Sequence, residues 1–166
     1  PNTDNPHAVP SDRVIEKGDF VLMDYGAGYC DYRSDMTRTV VMGEPTQEQV
    51  DLYALVRRTH EECVAAIHPG VEGNDIFKLS KKIIGDAGYG DYYNHGLGHG
   101  VGIDIHELPN FNRSKNIIEV GSVITMEPGV YLPGVGGVRL EDYGVVTENG
   151  YEPFTKTPHD LHVIDC

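Results

Sequence analysis

The sequence is short of bases, short of cysteines and free of long apolar runs, and each shortage excludes something. Thirteen Lys and Arg stand against 26 Asp and Glu, a formal charge of −13. So few cations argue against nucleic acid or an anionic membrane surface as the partner, because both reward clustered Lys and Arg. No stretch approaches the roughly 20 apolar residues that span a bilayer. The opening PNTDNPHAVP has neither the basic flank nor the apolar centre of a signal peptide, so a soluble, cytoplasmic chain is expected. Cys30, Cys63 and Cys166 are an odd set without a CxxC pair, which fits a reducing compartment and not a disulfide framework. His60 and Cys63 could form half of a zinc site, but no second pair exists, and a buried thiol beside a surface histidine is the preferred reading. There is no HExxH, the pattern of the common single-zinc proteases. The glycines of GLGHGVG miss GxGxxG, because Val101 occupies the third glycine's position.

What is present suits one domain: 166 residues, 39% of them hydrophobic, enough for a single core. DFVLMDYGAGY reads as a strand entering a turn, and RSDMTRTVVM as its β-branched return. QEQVDLYALVRRTHEECVAAI carries apolar residues at helical spacing behind Thr46, a candidate N-cap, and HPG ends it. A second helix fits NDIFKLSKKIIGDAG, with Asn74 as cap and Gly88 as terminator. SVITMEPGVYL and GGVRLEDYGVVT read as strands around the turn PGVGG, and YEPFTKTPHDL as a tail. This order predicts an α+β layout with antiparallel strands and helices packed on the sheet.

The chemistry lies in acids on strands. If the first hairpin turns around Tyr29 and Cys30, Asp24 and Asp35 oppose each other; if the second is centred on Gly134, Glu127 opposes Glu141. Opposed like charges destabilise a sheet, so something must neutralise them, either shared protons or bound metal. Between the hairpins lies NHGLGHGVGIDIHE, which packs His95, His99 and His106 among four glycines. Four carboxylates carry a charge that two divalent cations balance. With one imidazole from HGLGH, the set favours Mn²⁺, Co²⁺, Fe²⁺ or Zn²⁺. Two such ions can share a hydroxide and polarise a carbonyl.

PHAVPSDRVIEKGDFVLMDYGAGYCDYRSDMTRT, HGLGHGVGIDIHE, TMEPGVY and GVRLEDYGVVT together resemble the metallopeptidase family of prolidase and aminopeptidase P, which has the pita-bread fold. The resemblance covers nearly the whole chain in the family's order. It implies metal ligation by Asp24, Asp35, His99, Glu127 and Glu141. Asp35 and Glu141 would bridge two ions, Mn²⁺ foremost, with Co²⁺, Zn²⁺ or Fe²⁺ as alternatives; Asp24 would bind one ion, His99 and Glu127 the other. It further implies that His95 and His106 face the substrate and assist proton transfer, and that Glu127 receives a proton from the attacking water. Arg139 would hold a dipeptide's carboxylate, and His7 would line the pocket. The implied reaction is hydrolysis of an Xaa–Pro bond by a bridging hydroxide, with a peptide bearing proline at its second position as substrate. A homo-oligomer is a further expectation.

Two alternatives stand beside this one: a methionine aminopeptidase-like exopeptidase of the same fold, and a pita-bread module that binds peptides without catalysis. Family members carry further residues before the point where this chain starts, so residues 1–166 are expected to be a partial catalytic domain whose first half is incomplete.

Overall fold

The structure is a computed structural model that describes residues 2–6 and 8–165; His7 and Cys166 lie outside the described residues. The strands and helices, in chain order, are β1 (Phe20–Tyr25), β2 (Gly28–Tyr29), β3 (Tyr32–Arg33), β4 (Met36–Met42), α1 (Gln47–Ala65), α2 (Gly73–Asp86), β5 (Gly98–Gly100), β6 (Glu107–Phe111), β7 (Val123–Met126), β8 (Gly129–Leu132), β9 (Gly136–Arg139), β10 (Asp142–Thr147), β11 (Gly150–Pro153) and β12 (His162–Ile164). One sheet runs β1-β4-β12 and another β11-β10-β7-β5-β6, while β2-β3 and β8-β9 pair as separate ribbons. The α+β layout is as expected.

α1 starts where its chemistry dictates. Thr46 accepts from the Gln49 N–H while the Gln49 side chain reaches back to the Thr46 N–H, a capping box. Its buried face carries Leu52, Tyr53, Val56 and Cys63 and serves two cores. One core joins Leu52 and Val56 to Phe20, Val130, Val138 and Leu140. The other joins Cys63 and Ile67 to Leu97, Phe111, Ile124, Met126 and Val146. Each fully buried aliphatic or aromatic side chain contributes about 1.5–3 kcal/mol. α2 corrects one expectation: its N-cap is Glu72, and Asn74 lies inside the helix with its amide donating to the Asn112 carbonyl at 2.8 Å. Gly88, at φ 88°, ends it as expected.

The second hairpin follows its expected register and extends it. β8 pairs with β9 (Gly129 opposite Arg139), and β7 pairs with β10 (Met126 opposite Asp142) in the same phase, so Gly134 is the centre of both. Between the two ladders Glu127 falls opposite Glu141, and there the pairing is interrupted. The Glu127 N–H donates instead to the Leu97 carbonyl at 2.7 Å, and the Glu141 N–H to the Thr37 carbonyl at 3.1 Å. Alternation along these strands sorts the side chains. Met126, Val130, Val138, Leu140 and Val146 enter the two cores with the helices, whereas Glu127, Tyr131, Arg139 and Glu141 share the opposite side.

The first hairpin departs from its expected register. β1 and β4 place Asp24 opposite Thr37, and β2 and β3 carry the hairpin one turn further. The true turn residues are Cys30 and Asp31, at φ 47° and 69°, the left-handed pair that a tight two-residue hairpin requires. Asp35 is therefore displaced by two residues from the position facing Asp24. A slip of one would have sent it to the other face, whereas a slip of two leaves it on the same one. Three short elements also exceed the expected layout. β6 follows the histidine-rich strand, and the expected tail contributes β11, beside β10, and leads into β12, parallel to β4.

Candidate metal centre

Four of the five expected ligands converge below the surface. Asp35, His99 and Glu141 bring one donor atom each to within 4.8 Å of one another. His99 Nε2 lies 3.8 Å from Asp35 Oδ2 and 3.4 Å from Glu127 Oε1. Glu141 is 2% exposed, and its Oε2 accepts from the Thr37 hydroxyl at 2.6 Å. Asp24 stands at the rim with its side chain about half exposed and ion-paired to the buried Arg139 guanidinium.

The glycines of HGLGHGVG allow this approach. A Cβ on Gly98 would lie 2.2 Å from the Thr125 carbonyl oxygen, and one on Gly100 would lie 2.3 Å from that of Leu108. Only bare backbone lets β5 sit close enough for the His99 N–H to reach Thr125 Oγ1 at 3.0 Å. The ring of His99 is then oriented by Nδ1 against the Gly100 carbonyl, 2.9 Å away, which turns Nε2 toward the acids.

Electrostatics follows from this burial. Removal from water, then the nearby Asp24 charge, pushes Asp35 up to about 6. Burial pushes Glu127 up to about 7, with Asp35 and Asp24 adding to the rise and Arg139 opposing it. Burial, then Glu127 and Asp35, holds Glu141 well above the usual carboxylate range, and burial holds the His99 imidazole low. A cluster that is reluctant to ionise and rich in oxygen donors around one neutral imidazole fits hard-to-borderline divalent cations.

The remaining expected residues ring this centre. His95 is half buried, its Nε2 3.0 Å from the Tyr131 hydroxyl and its Nδ1 2.6 Å from the Gly96 carbonyl. His106 is exposed, its ring centroid 4.3 Å from that of His99. Arg139 is 4% exposed and donates to the Tyr131 hydroxyl at 2.9 Å and to Thr37 Oγ1 at 3.1 Å, besides its bond to Asp24. Two clefts meet at Asp24, one lined by Ser34, Asp35, Ile105 and His106, the other by Pro6, Phe20, Leu22 and Arg139.

Tyr131, Thr37 and Thr125 were absent from the sequence-based set. Tyr131 had a signal: it lies on the same side as Glu127 and Glu141 and faces Gly137, where a Cβ would come within 2.5 Å of the tyrosine ring. A second correction concerns His60, expected at the surface. It is 3% exposed and meets Asp142 and His159, while Cys63 is buried as expected but sits in the second core.

This constellation is a candidate metal centre, and the chain belongs to metallopeptidase family M24, whose pattern it matches over residues 1–148. It is 43% identical to an Xaa-Pro dipeptidase of Pyrococcus horikoshii over 157 residues, 94% of this chain and 45% of that one. Its structure resembles that of an Xaa-Pro dipeptidase from Bacillus anthracis with a TM-score of 0.95 and 43% identity, covering 98% of this chain and 46% of the other. It likewise resembles an X-Pro aminopeptidase from Thermotoga maritima, with a TM-score of 0.94, 36% identity, and coverage of 98% and 46%. The fold is thus the pita-bread fold in part, and the chain spans a little under half the length of these relatives.

Proposed function

We propose that residues 1–166 are the metal-bearing part of a peptidase that hydrolyses Xaa–Pro bonds in the cytoplasm. The observation that carries this reading is the convergence of Asp35, the partly buried Glu127 and the buried Glu141 on His99 Nε2, with Asp24 at the rim. Like charges in so little water need protons or a counter-charge, and among the described residues the cationic groups acting on them are Arg139 and, at Asp35, His106. The relatives' names support proline-specific action, and the free thiols of Cys30 and Cys63 support a reducing setting.

In this reading Asp24, Asp35, His99, Glu127 and Glu141 would hold two divalent cations. When bound, the cations, Mn²⁺ foremost, supply an activated water and positive charge for the developing oxyanion. Glu127 would accept a proton from the attacking water. Its backbone bond to Leu97 keeps it beside His99. His106, exposed next to His99, has room to meet the peptide and pass a proton. His95 is steered by Tyr131, and the same hydroxyl links it to Arg139. The arginine is held by Asp24 and Tyr131 at the cleft, where a substrate carboxylate could exchange for one of these partners.

The test uses the intact protein with Xaa-Pro dipeptides and tripeptides. Hydrolysis should rise with added Mn²⁺ or Co²⁺, vanish on thorough chelation, and fall to background in Glu127→Gln. Activity that survives chelation refutes the proposal, and preferential release of N-terminal Met would shift it to the methionine aminopeptidase alternative.

A further inference from the structure

A second group of donors lies on the other side of the sheet. Asp142 follows Glu141 along the chain, so its side chain points away from the candidate centre and toward α1. There it meets His60 from α1 and His159 from the segment before β12. His60 Nε2 is 3.5 Å from Asp142 Oδ2, His159 Nε2 is 2.6 Å from the same oxygen, and the two rings stand edge to face with centroids 5.0 Å apart. One ligand atom from each of the three lies within 4.8 Å of the others. The other oxygen of Asp142 is occupied by Arg38 Nη2 at 2.6 Å, which fixes the carboxylate's orientation and leaves Oδ2 for the histidines.

His60 is the independent clue. It is 3% exposed, and neither ring nitrogen has a hydrogen-bond partner among the described residues. Burying a polar ring without a partner is costly, and the ring points its Nε2 at an anionic oxygen shared with a second imidazole. We propose that His60, Asp142 and His159 form a structural site for one borderline divalent cation of the Zn²⁺ class, separate from the candidate centre and independent of the peptidase reading.

Two imidazoles and a carboxylate are ordinary zinc donors, and ligands held tetrahedrally at about 2.0–2.1 Å lie about 3.4 Å apart. The His60–Asp142 separation already has that length. The His159–Asp142 contact is a hydrogen bond that the ion would replace, and His159, with its side chain 27% exposed, has room to withdraw. Arg38 offsets the Asp142 charge, so the fourth position would take hydroxide or another anion from the solvent side of His159. Such an ion would clamp the segment before β12 to α1 and β10.

Equilibrium dialysis of the chelator-stripped full chain against Zn²⁺ tests the proposal, in a background where Asp35→Asn and His99→Gln disable the candidate centre. That background should retain a single equivalent of Zn²⁺ and melt at a higher temperature with the ion than without it. Adding His60→Gln or His159→Gln should remove both the equivalent and the shift. Should His60→Gln fail to fold, His159→Gln, at a partly exposed position, still gives the answer. No retained Zn²⁺ in the parent background, or retention unaffected by the histidine substitutions, overturns the proposal.

Discussion

Replacing Asp35 with Asn in chelator-treated protein should stabilise it at neutral pH, although Asp35 is 9% exposed and sits among expected ligands. The sign follows from proton linkage. Asp35 has its carboxyl pushed from 3.8 to about 6 by burial and by Asp24, so between those values the folded state holds a proton that the unfolded chain has released. Stability then falls as pH rises through this window, by about 3 kcal/mol for a displacement from 3.8 to about 6. Asn keeps the shape and the acceptor for the Met36 backbone but has no charge to suppress. Wild type alone would not isolate the effect, because Glu127, raised by burial to about 7, also loses stability as pH rises, while His60, pulled by burial from 6.5 to about 4, contributes stability that grows with pH over much of the same range. Subtracting the two urea-denaturation curves at each pH cancels the His60 contribution. The variant should match wild type near pH 4 and exceed it above pH 6 by about 3 kcal/mol. With Mn²⁺ at about a thousand times its dissociation constant the order should invert, because an ion bound only to the folded wild type then adds about 4.1 kcal/mol. A difference that is independent of pH, or an Asn variant that is the weaker protein throughout, would refute the idea that burial and the neighbouring Asp24 disfavour the Asp35 charge in the fold.

Two further outcomes follow from the same structure. Arg38→Met should cost about 3–5 kcal/mol in denaturant unfolding, because Asp142, 2% exposed, would keep its charge and lose the guanidinium that also bonds the Thr37, Glu141, Thr157 and Pro158 carbonyls. Gly98→Ala should cost about 1–3 kcal/mol or more and weaken metal uptake, since the new methyl group would meet the Thr125 carbonyl at 2.2 Å and lever His99 off β7. Thermal melts and metal titration of the variant check both effects.

The second hairpin is legible from its sequence because Gly134 marks its centre, with φ 83°, and the alternation of Val130, Leu132, Val138 and Leu140 fixes which side is buried. Glu127 and Glu141 then fall opposite each other by counting. The first hairpin is not, because Cys30–Asp31 lacks the glycine that usually marks a tight turn. The acids kept their shared face only because the error in register was even. β6, β11 and β12 are short, and what specifies them is the neighbouring strand and not their own residues. His60 escapes notice for another reason: it lies one turn after Val56 on the buried face of α1, yet a histidine adds nothing to an apolar pattern.

The break between the two ladders of the second hairpin has a mechanical consequence. Glu127 and Glu141 each hand their main-chain N–H to a residue two positions from a histidine or aspartate of the cluster, Leu97 before His99 and Thr37 after Asp35. The acids and the imidazole are therefore indexed to one another through peptide groups, with side chains fine-tuning the result. Lining residues of such a centre can be exchanged while its donors stay in step. One residue added or removed inside 35–37 or 97–99 would turn a donor to the wrong side of its strand.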